Sequence, residues 1–404
     1  MAKIKPAQKS KNKRKKSNTS QQTHKDWINL FAQAQGLYSQ GMLEDARQKA
    51  QSALKITAAS STLTLSSLCP LNLLSAISLD LGDIEKARNY LLECVTLDPE
   101  GEVSEDLGGG AEKFFSLAQL SEEGGKDSVQ WIKKGINVLQ REILTFEIDA
   151  NPEDLTHQVK KRKLASALCS IVEIYMTDLS WDEDAEAQCE TLVTEAMLVS
   201  PDNPEVLQTL ASVRISQTRI EDARSALKRG LALWINLPPL HEDVPEFPGK
   251  ISLCRLLLEV DLQDDAMDIL HLLVLEDDQS VEAWYLGGFC RCLMARAQRR
   301  NEAQDKGQGE GTEVFTEEEE DLLRSSRKWL LKCLKLYAQQ DYEDEPLKAH
   351  AEQLLAELDE QLGPVPEGEE ADENGNWEDT ESDESEDGDD DEDGDDEMEE
   401  TPTT

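Results

Sequence analysis

Residues Pro204–Trp234 read PEVLQTLASVRISQTRIEDARSALKRGLALW. Leu207, Leu210, Ala211 and Ile215 recur at the spacing of one helix face. The polar stretch Gln217, Thr218 and Arg219 makes a turn, and Ala223, Leu227, Gly230 and Leu231 then share one face of a second helix. Ala211, Ala223 and Gly230 stand where two helix backbones come close, so only small side chains fit. One antiparallel pair of this kind cannot bury its apolar face alone. It needs a stacked neighbour, and repetition of the unit implies a solenoid.

Degenerate copies follow the second-helix signature: a small residue, a large one four later, a small one three after that. Ala46, Ala50 and Ala53 follow the turn residue Gly41; Ala87, Leu91 and Cys94 follow Gly82, and Pro99 stops that helix. Ser128, Ile132 and Gly135 fit more loosely, whereas Cys189, Val193 and Ala196 end at Pro201. Ala223 comes 34 residues after Cys189, and Ala266, with Leu270 and Leu273, 43 residues after Ala223. The excess is the proline-rich insertion Pro238–Pro248. Val281–Gly288 opens a further first helix, with Ser326, Leu330 and Cys333 as its delayed partner beyond the insertion Asn301–Asp321. The pattern resembles the tetratricopeptide repeat, whose period is the 34-residue step above. The resemblance implies an all-α superhelical solenoid of about seven helix pairs that serves as a binding scaffold.

The expected organisation is a disordered basic segment at 1–24, the solenoid at 25–340, a capping helix at 345–362 and a disordered acidic tail at 367–404. In the cap, Leu347, Ala351, Leu354, Leu355, Leu358 and Leu362 form one stripe, with Glu352, Glu357 and Glu360 outside. No apolar run approaches the roughly 20 residues of a membrane span, and no apolar stretch follows the basic start, so no secretory signal is expected. The chain reads as soluble and intracellular.

Chemistry finds little purchase. Cys94, Cys189, Cys254 and Cys333 fall at small-residue crossing sites, where cysteine acts as a small apolar residue. Cys290 and Cys292 point about 200° apart on a helix and cannot share an ion. There is no CxxC pair, and His24, His157, His241, His271 and His350 are scattered. Gly108–Gly110 lacks the lysine of a phosphate-binding loop and reads as a linker. The expectation is a non-enzyme without cofactor or metal.

Charge is the second strong signal. The chain carries −43 in total, of which the 38 residues Glu367–Thr404 contribute 22 acids and no base. Lys3–Lys25 contributes +9, which leaves −30 for the body. A run such as Asp389–Asp393 repels itself and buries nothing. An acidic body makes direct nucleic-acid binding implausible and suits a strongly basic protein. The block Lys9–Ser17, with Lys11, Lys13, Arg14, Lys15 and Lys16, is a candidate nuclear localisation signal for an importin.

On the inner face, the residues just after the first large residue of each first helix are Phe31, Asn72, Phe115, Cys169, Gln208, Ile251 and Tyr285. None is basic, unlike the repeats that clasp the acidic C-terminus of heat-shock chaperones. One turn on come Gln35, Ala76, Gln119, Glu173, Ser212, Arg255 and Phe289. Aromatics beside acids suit a lysine- and arginine-rich extended segment, through cation–π contacts and charge-assisted hydrogen bonds. The candidate client contacts are Phe31, Tyr38, Asn72, Phe115, Glu122, Glu173, Tyr285 and Phe289.

An acidic repeat array, a closing helix Glu345–Leu362, the tail Glu386–Glu397 (EDGDDDEDGDDE) and a basic start together resemble the dedicated assembly chaperones of ribosomal proteins. The likeness is to the fungal chaperones of the fourth large-subunit ribosomal protein. It implies a basic ribosomal client held in a concave groove, its rRNA-binding extension shielded, and escort from cytoplasm to nucleus for large-subunit assembly. It also implies a monomer or a 1:1 complex with the client. Two other functions share parts of this pattern: a histone chaperone of the tetratricopeptide type and a generic scaffold subunit.

Overall fold

The computed structural model describes residues 26–58, 63–149, 155–305 and 315–363. The basic block, with Lys11, Lys13, Arg14, Lys15 and Lys16, and the acidic tail at 367–404 lie outside the described residues. Within them the protein is all-helical, with no strand. Helix α1 covers 26–38. Then come α2 (Leu43–Thr57), α3 (Leu68–Asp80), α4 (Ile84–Leu97), α5 (Glu112–Gln119) and α6 (Gly125–Asp149). The array continues through α7 (Leu155–Met176), α8 (Ala185–Val199), α9 (Pro204–Ser216), α10 (Ile220–Trp234), α11 (Phe247–Glu259) and α12 (Gln263–Glu276). Last are α13 (Val281–Asp305), α14 (Glu317–Gln339) and α15 (Glu345–Leu362).

The chain forms two compact units, one up to Cys290 and one from Arg291. In the first, consecutive helices pair as α3/α4, α5/α6, α7/α8, α9/α10 and α11/α12. First helices also meet along the array, α7 on α9 and α9 on α11. Ala34, Ala46 and Ala50 bury the α1/α2 crossing against Leu73, Leu74 and Ile77 of α3. The second-helix signature is buried in every copy, from Ala46, Ala50 and Ala53 to Ser326, Leu330 and Cys333.

Helix ends follow from local chemistry. The Asn203 side chain accepts from the Glu205 amide at 2.9 Å, and Pro204 sits where a missing N–H costs nothing. Thr218 takes φ 60° and turns the chain into α10. Thr316 accepts from the Glu319 amide at 3.3 Å, and four glutamates in the first turn of α14 meet the positive end of its dipole. In the second unit, the Cys292 thiol and Ser326 hydroxyl lie 3.0 Å apart, joining α13 to α14. Helix α15 buries Leu347, Ala351, Leu354 and Leu358, while Leu355 and Leu362 are half-buried. Arg327 donates to the Gly363 carbonyl at 2.8 Å and ties the end of α15 to α14.

Three sequence expectations need correcting. Gly108–Gly110 is a packed loop and not a linker. Gly108 adopts φ 81°, and a Cβ on Gly109 would lie 1.9 Å from the Val103 carbonyl oxygen. That loop roofs a fully buried ion pair, Lys113 Nζ to Asp98 Oδ2 at 2.7 Å. Asn301–Asp321 is also not wholly an insertion, since 301–305 continue α13 and α14 begins at Glu317. Finally, Cys169 and Ile251 are core residues, 0% and 4% exposed, and do not face the inner surface. A one-residue change in register moves a helical side chain by about 100°, which the degenerate repeats do not pin down.

All eight cysteines are free thiols, and seven are buried. Burial pushes Cys94, Cys169 and Cys333 up to about 12, so they are protonated and unreactive packing groups. Among the described residues no three His, Cys, Asp or Glu side chains converge as a metal site, and no helix is long and apolar enough to cross a membrane.

Candidate protein-binding face of the first helices

Helices α7, α9 and α11 stand side by side and present one continuous surface. Direct bonds hold them in register. Ser166 Oγ on α7 donates to Glu205 Oε1 on α9 at 2.8 Å, and Gln208 on α9 reaches the Gly249 carbonyl of α11 at 3.4 Å. Glu173, two turns along α7 from Ser166, is exposed, as is Glu205. Both carboxyls are nevertheless raised above the usual carboxylate range. For Glu173 the first cause is desolvation by the protein around it and the second is the charge of Glu205. For Glu205 desolvation dominates, partly offset by the Ser166 hydrogen bond. Desolvation makes these carboxylates costlier to ionise, and a bound cation offsets that cost.

Farther along, Tyr285 and Phe289 stack on α13 with centroids 6.3 Å apart and planes 7° from parallel, each half-exposed. Arg255 of α11 pairs with Glu282 on the same helix as these rings. The two aromatics therefore offer a flat apolar surface with charge at its edge.

The other sequence candidates are engaged elsewhere. Phe31 and Tyr38 pack against the α1–α3 core cluster. The Tyr38 phenol is raised chiefly by its hydrogen bond to Asp80, which joins α1 to the end of α3. Asn72 is spent internally: its Nδ2 donates to the Gly108 carbonyl at 2.8 Å and its Oδ1 accepts from the Cys94 thiol at 3.1 Å. Phe115 lies over Gly135 of α6, where an added Cβ would come within 2.4 Å of its ring. Glu122 is in the turn after α5 and not on a first helix, 3.4 Å from Arg88. The structure thus brings Glu173 into a local group and pairs Tyr285 with Phe289, but leaves the remaining five outside that group.

Sequence reasoning missed Glu205 and a cluster at the start of α7. Lys160 bridges Glu142 at 2.6 Å and Glu105 at 3.4 Å, and Arg162 reaches Asp243 at 2.9 Å and Glu242 at 3.5 Å. Glu205 follows Asn203-Pro204 and looks like an ordinary first-turn acid; only the stacking of α7 on α9 gives it a neighbour. The partners of Lys160 and Arg162 are too distant in sequence for any local pattern to signal them.

The tetratricopeptide-repeat family matches residues 71–100, which span α3 and α4 and contain the Ala87, Leu91, Cys94 signature. A probable assembly chaperone of rpl4 from Emericella nidulans is 43% identical over 91% of this chain and 92% of its own length. A probable assembly chaperone of rpl4 from Schizosaccharomyces pombe is 36% identical over 77% of this chain and 86% of its own. Among solved structures, residues 1–338 of an assembly chaperone of RpL4 (Acl4) match with TM-score 0.63 and 44% identity, covering 69% of this chain and 99% of that one. Identity at this level runs through the helical array and is not confined to one repeat, so this chain belongs to the family of assembly chaperones of rpl4.

Proposed function

We propose that this chain holds the fourth large-subunit ribosomal protein, binding a lysine- and arginine-rich extended segment in the concave groove of its first helices. The observation that carries this reading is the Glu173–Glu205 pair, accessible yet raised by its surroundings, together with the stacked Tyr285 and Phe289. Partly desolvated carboxylates attract guanidinium and ammonium groups more strongly than carboxylates in open water, because the local dielectric is lower. Half-exposed rings add cation–π contacts and cover the aliphatic stems of long basic side chains. Family membership supplies the client. An excess of −30 on the body and −22 on the tail gives long-range attraction to a basic protein.

On this reading the groove shields an rRNA-binding extension, which keeps it from stray RNA and from aggregation. The chain acts by binding and carries no catalytic role. It works in cytoplasm and nucleus, with Lys11, Lys13, Arg14, Lys15 and Lys16 recruiting an importin. The expected stoichiometry is one chaperone to one client.

The test is a pull-down of the full chain under mild salt, with bound proteins identified by mass spectrometry. Enrichment of one ribosomal protein, rpl4, supports the proposal. Enrichment of histones, or of a fixed multi-subunit assembly, refutes it.

A further inference from the structure

The proline-rich connection between α10 and α11 is a built element. Leu237 donates its amide to the Trp234 carbonyl at 2.8 Å, His241 to Pro238 at 2.9 Å and Val244 to His241 at 3.0 Å, giving successive turns. Pro238 and Pro239 stiffen the segment between those bonds, and Pro245 follows the last of them. Pro245 lies against Gly249 of α11, and the acids before it reach beyond the adjacent helix. Glu242 and Asp243 pair with Arg162 on α7, at 3.5 and 2.9 Å. Since α9 lies between α7 and α11, the segment skips one helix pair and bridges the N-terminal side of the first-helix face. Leu240 at its tip is fully exposed, while Leu237, Val244 and Pro245 are half-buried.

We propose that this segment is a latch on the client groove, and that Glu242 and Asp243 are a further pair of client-binding acids masked by Arg162 in the free protein. The Arg162 guanidinium presents to these acids the same group that an arginine of the client would present. All three side chains are partly exposed, so the pairing is weak enough to exchange. An incoming basic segment replaces Arg162 at Glu242 and Asp243. The strap then closes on the client instead of on α7, beside Glu205 on the adjacent first turn. This rests on the groove reading above and adds where the groove opens.

Two readouts test it, hydrogen exchange of residues 237–244 in the client-free chain and association with labelled rpl4. Arg162→Ala should raise exchange in 237–244 and tighten rpl4 binding by about two- to fivefold, the range an exposed ion pair allows. Lys228→Ala is the control: it removes one exposed cation from α10 without touching the strap and should change neither exchange nor affinity to that degree. The double variant Glu242→Gln with Asp243→Asn should also raise exchange, yet bind more weakly than wild type. Unchanged exchange in Arg162→Ala, or freed exchange with affinity no better than in Lys228→Ala, overturns the latch. Failure of the groove reading shows separately, as Glu173→Lys that binds rpl4 normally.

Discussion

Lys113→Met should unsettle the first unit severely, and the reason lies in one buried pair. Lys113 and Asp98 side chains are 0% and 4% exposed. Lys113 Nζ donates to Asp98 Oδ2 at 2.7 Å and to the Gly110 carbonyl at 3.1 Å. Asp98 Oδ1 accepts from the Glu102 amide at 2.8 Å and more weakly from that of Val103 at 3.4 Å. Methionine fills the volume but leaves a carboxylate buried without its counter-charge. Breaking such a pair costs about 3–5 kcal/mol. The two remaining amide donors keep the loss near the lower end, about 3 kcal/mol. For an array of this size that lowers the melting temperature by about 6–12 °C. Adding Asp98→Asn removes the orphaned charge while keeping an acceptor for Glu102, so the double variant should regain most of the loss. Circular dichroism melts at 222 nm of the four proteins in the cycle provide the comparison. A Lys113→Met melt within 2 °C of wild type, or a double variant no better than the single, would refute the reasoning.

Truncation before Pro346 removes α15, exposing the α14 surface that Leu347, Ala351, Leu354 and Leu358 cover; the melt should fall or the protein aggregate. Glu173 and Glu205 have raised folded pKa values, so their ionisation opposes folding above those values. Their destabilisation fades as pH falls toward the ordinary carboxylate value near 4.5. Client binding favours the ionised form, so rpl4 affinity should rise with pH through the raised values, and Glu173→Gln should flatten that rise in a titration by anisotropy. Deleting Glu367–Thr404 should slow association and weaken its salt dependence more than it speeds dissociation, because charges beyond a Debye length of about 8 Å act mainly on encounter. Stopped-flow rates at two salt concentrations measure this directly.

The helix-pair architecture was legible because it depends on small residues at crossings. Ala46, Ala87, Cys189, Ala223, Ala266 and Ser326 identify second helices without any long-range information, and each proves buried. The bounds of α15 follow equally from its stripe and from Asp344, whose side chain caps the Leu347 amide at 3.0 Å. The candidate face was legible only in part. Glu173, Tyr285 and Phe289 keep accessible surface, whereas Cys169 and Ile251, assigned the same face by register, turn into the core. Degenerate repeats fix which helix a residue occupies better than they fix its angle around that helix. Asn72 shows a second limit: its polar groups are consumed by Gly108 and Cys94, one of them 36 residues away. The latch at Arg162 and the Lys113–Asp98 pair carry no local pattern, since their partners meet only once the chain has folded.

The central claim is that the first-helix face captures the client and the acidic tail assists. Its most direct test is co-purification of rpl4 with three forms of the chain: Glu173→Lys, Tyr285→Ala with Phe289→Ala, and the chain lacking Glu367–Thr404. The account predicts that both face variants lose rpl4 while keeping wild-type helicity, and that the tail-deleted chain retains it. Normal capture by the face variants, with loss on tail deletion, would contradict it and make the solenoid a carrier for the tail.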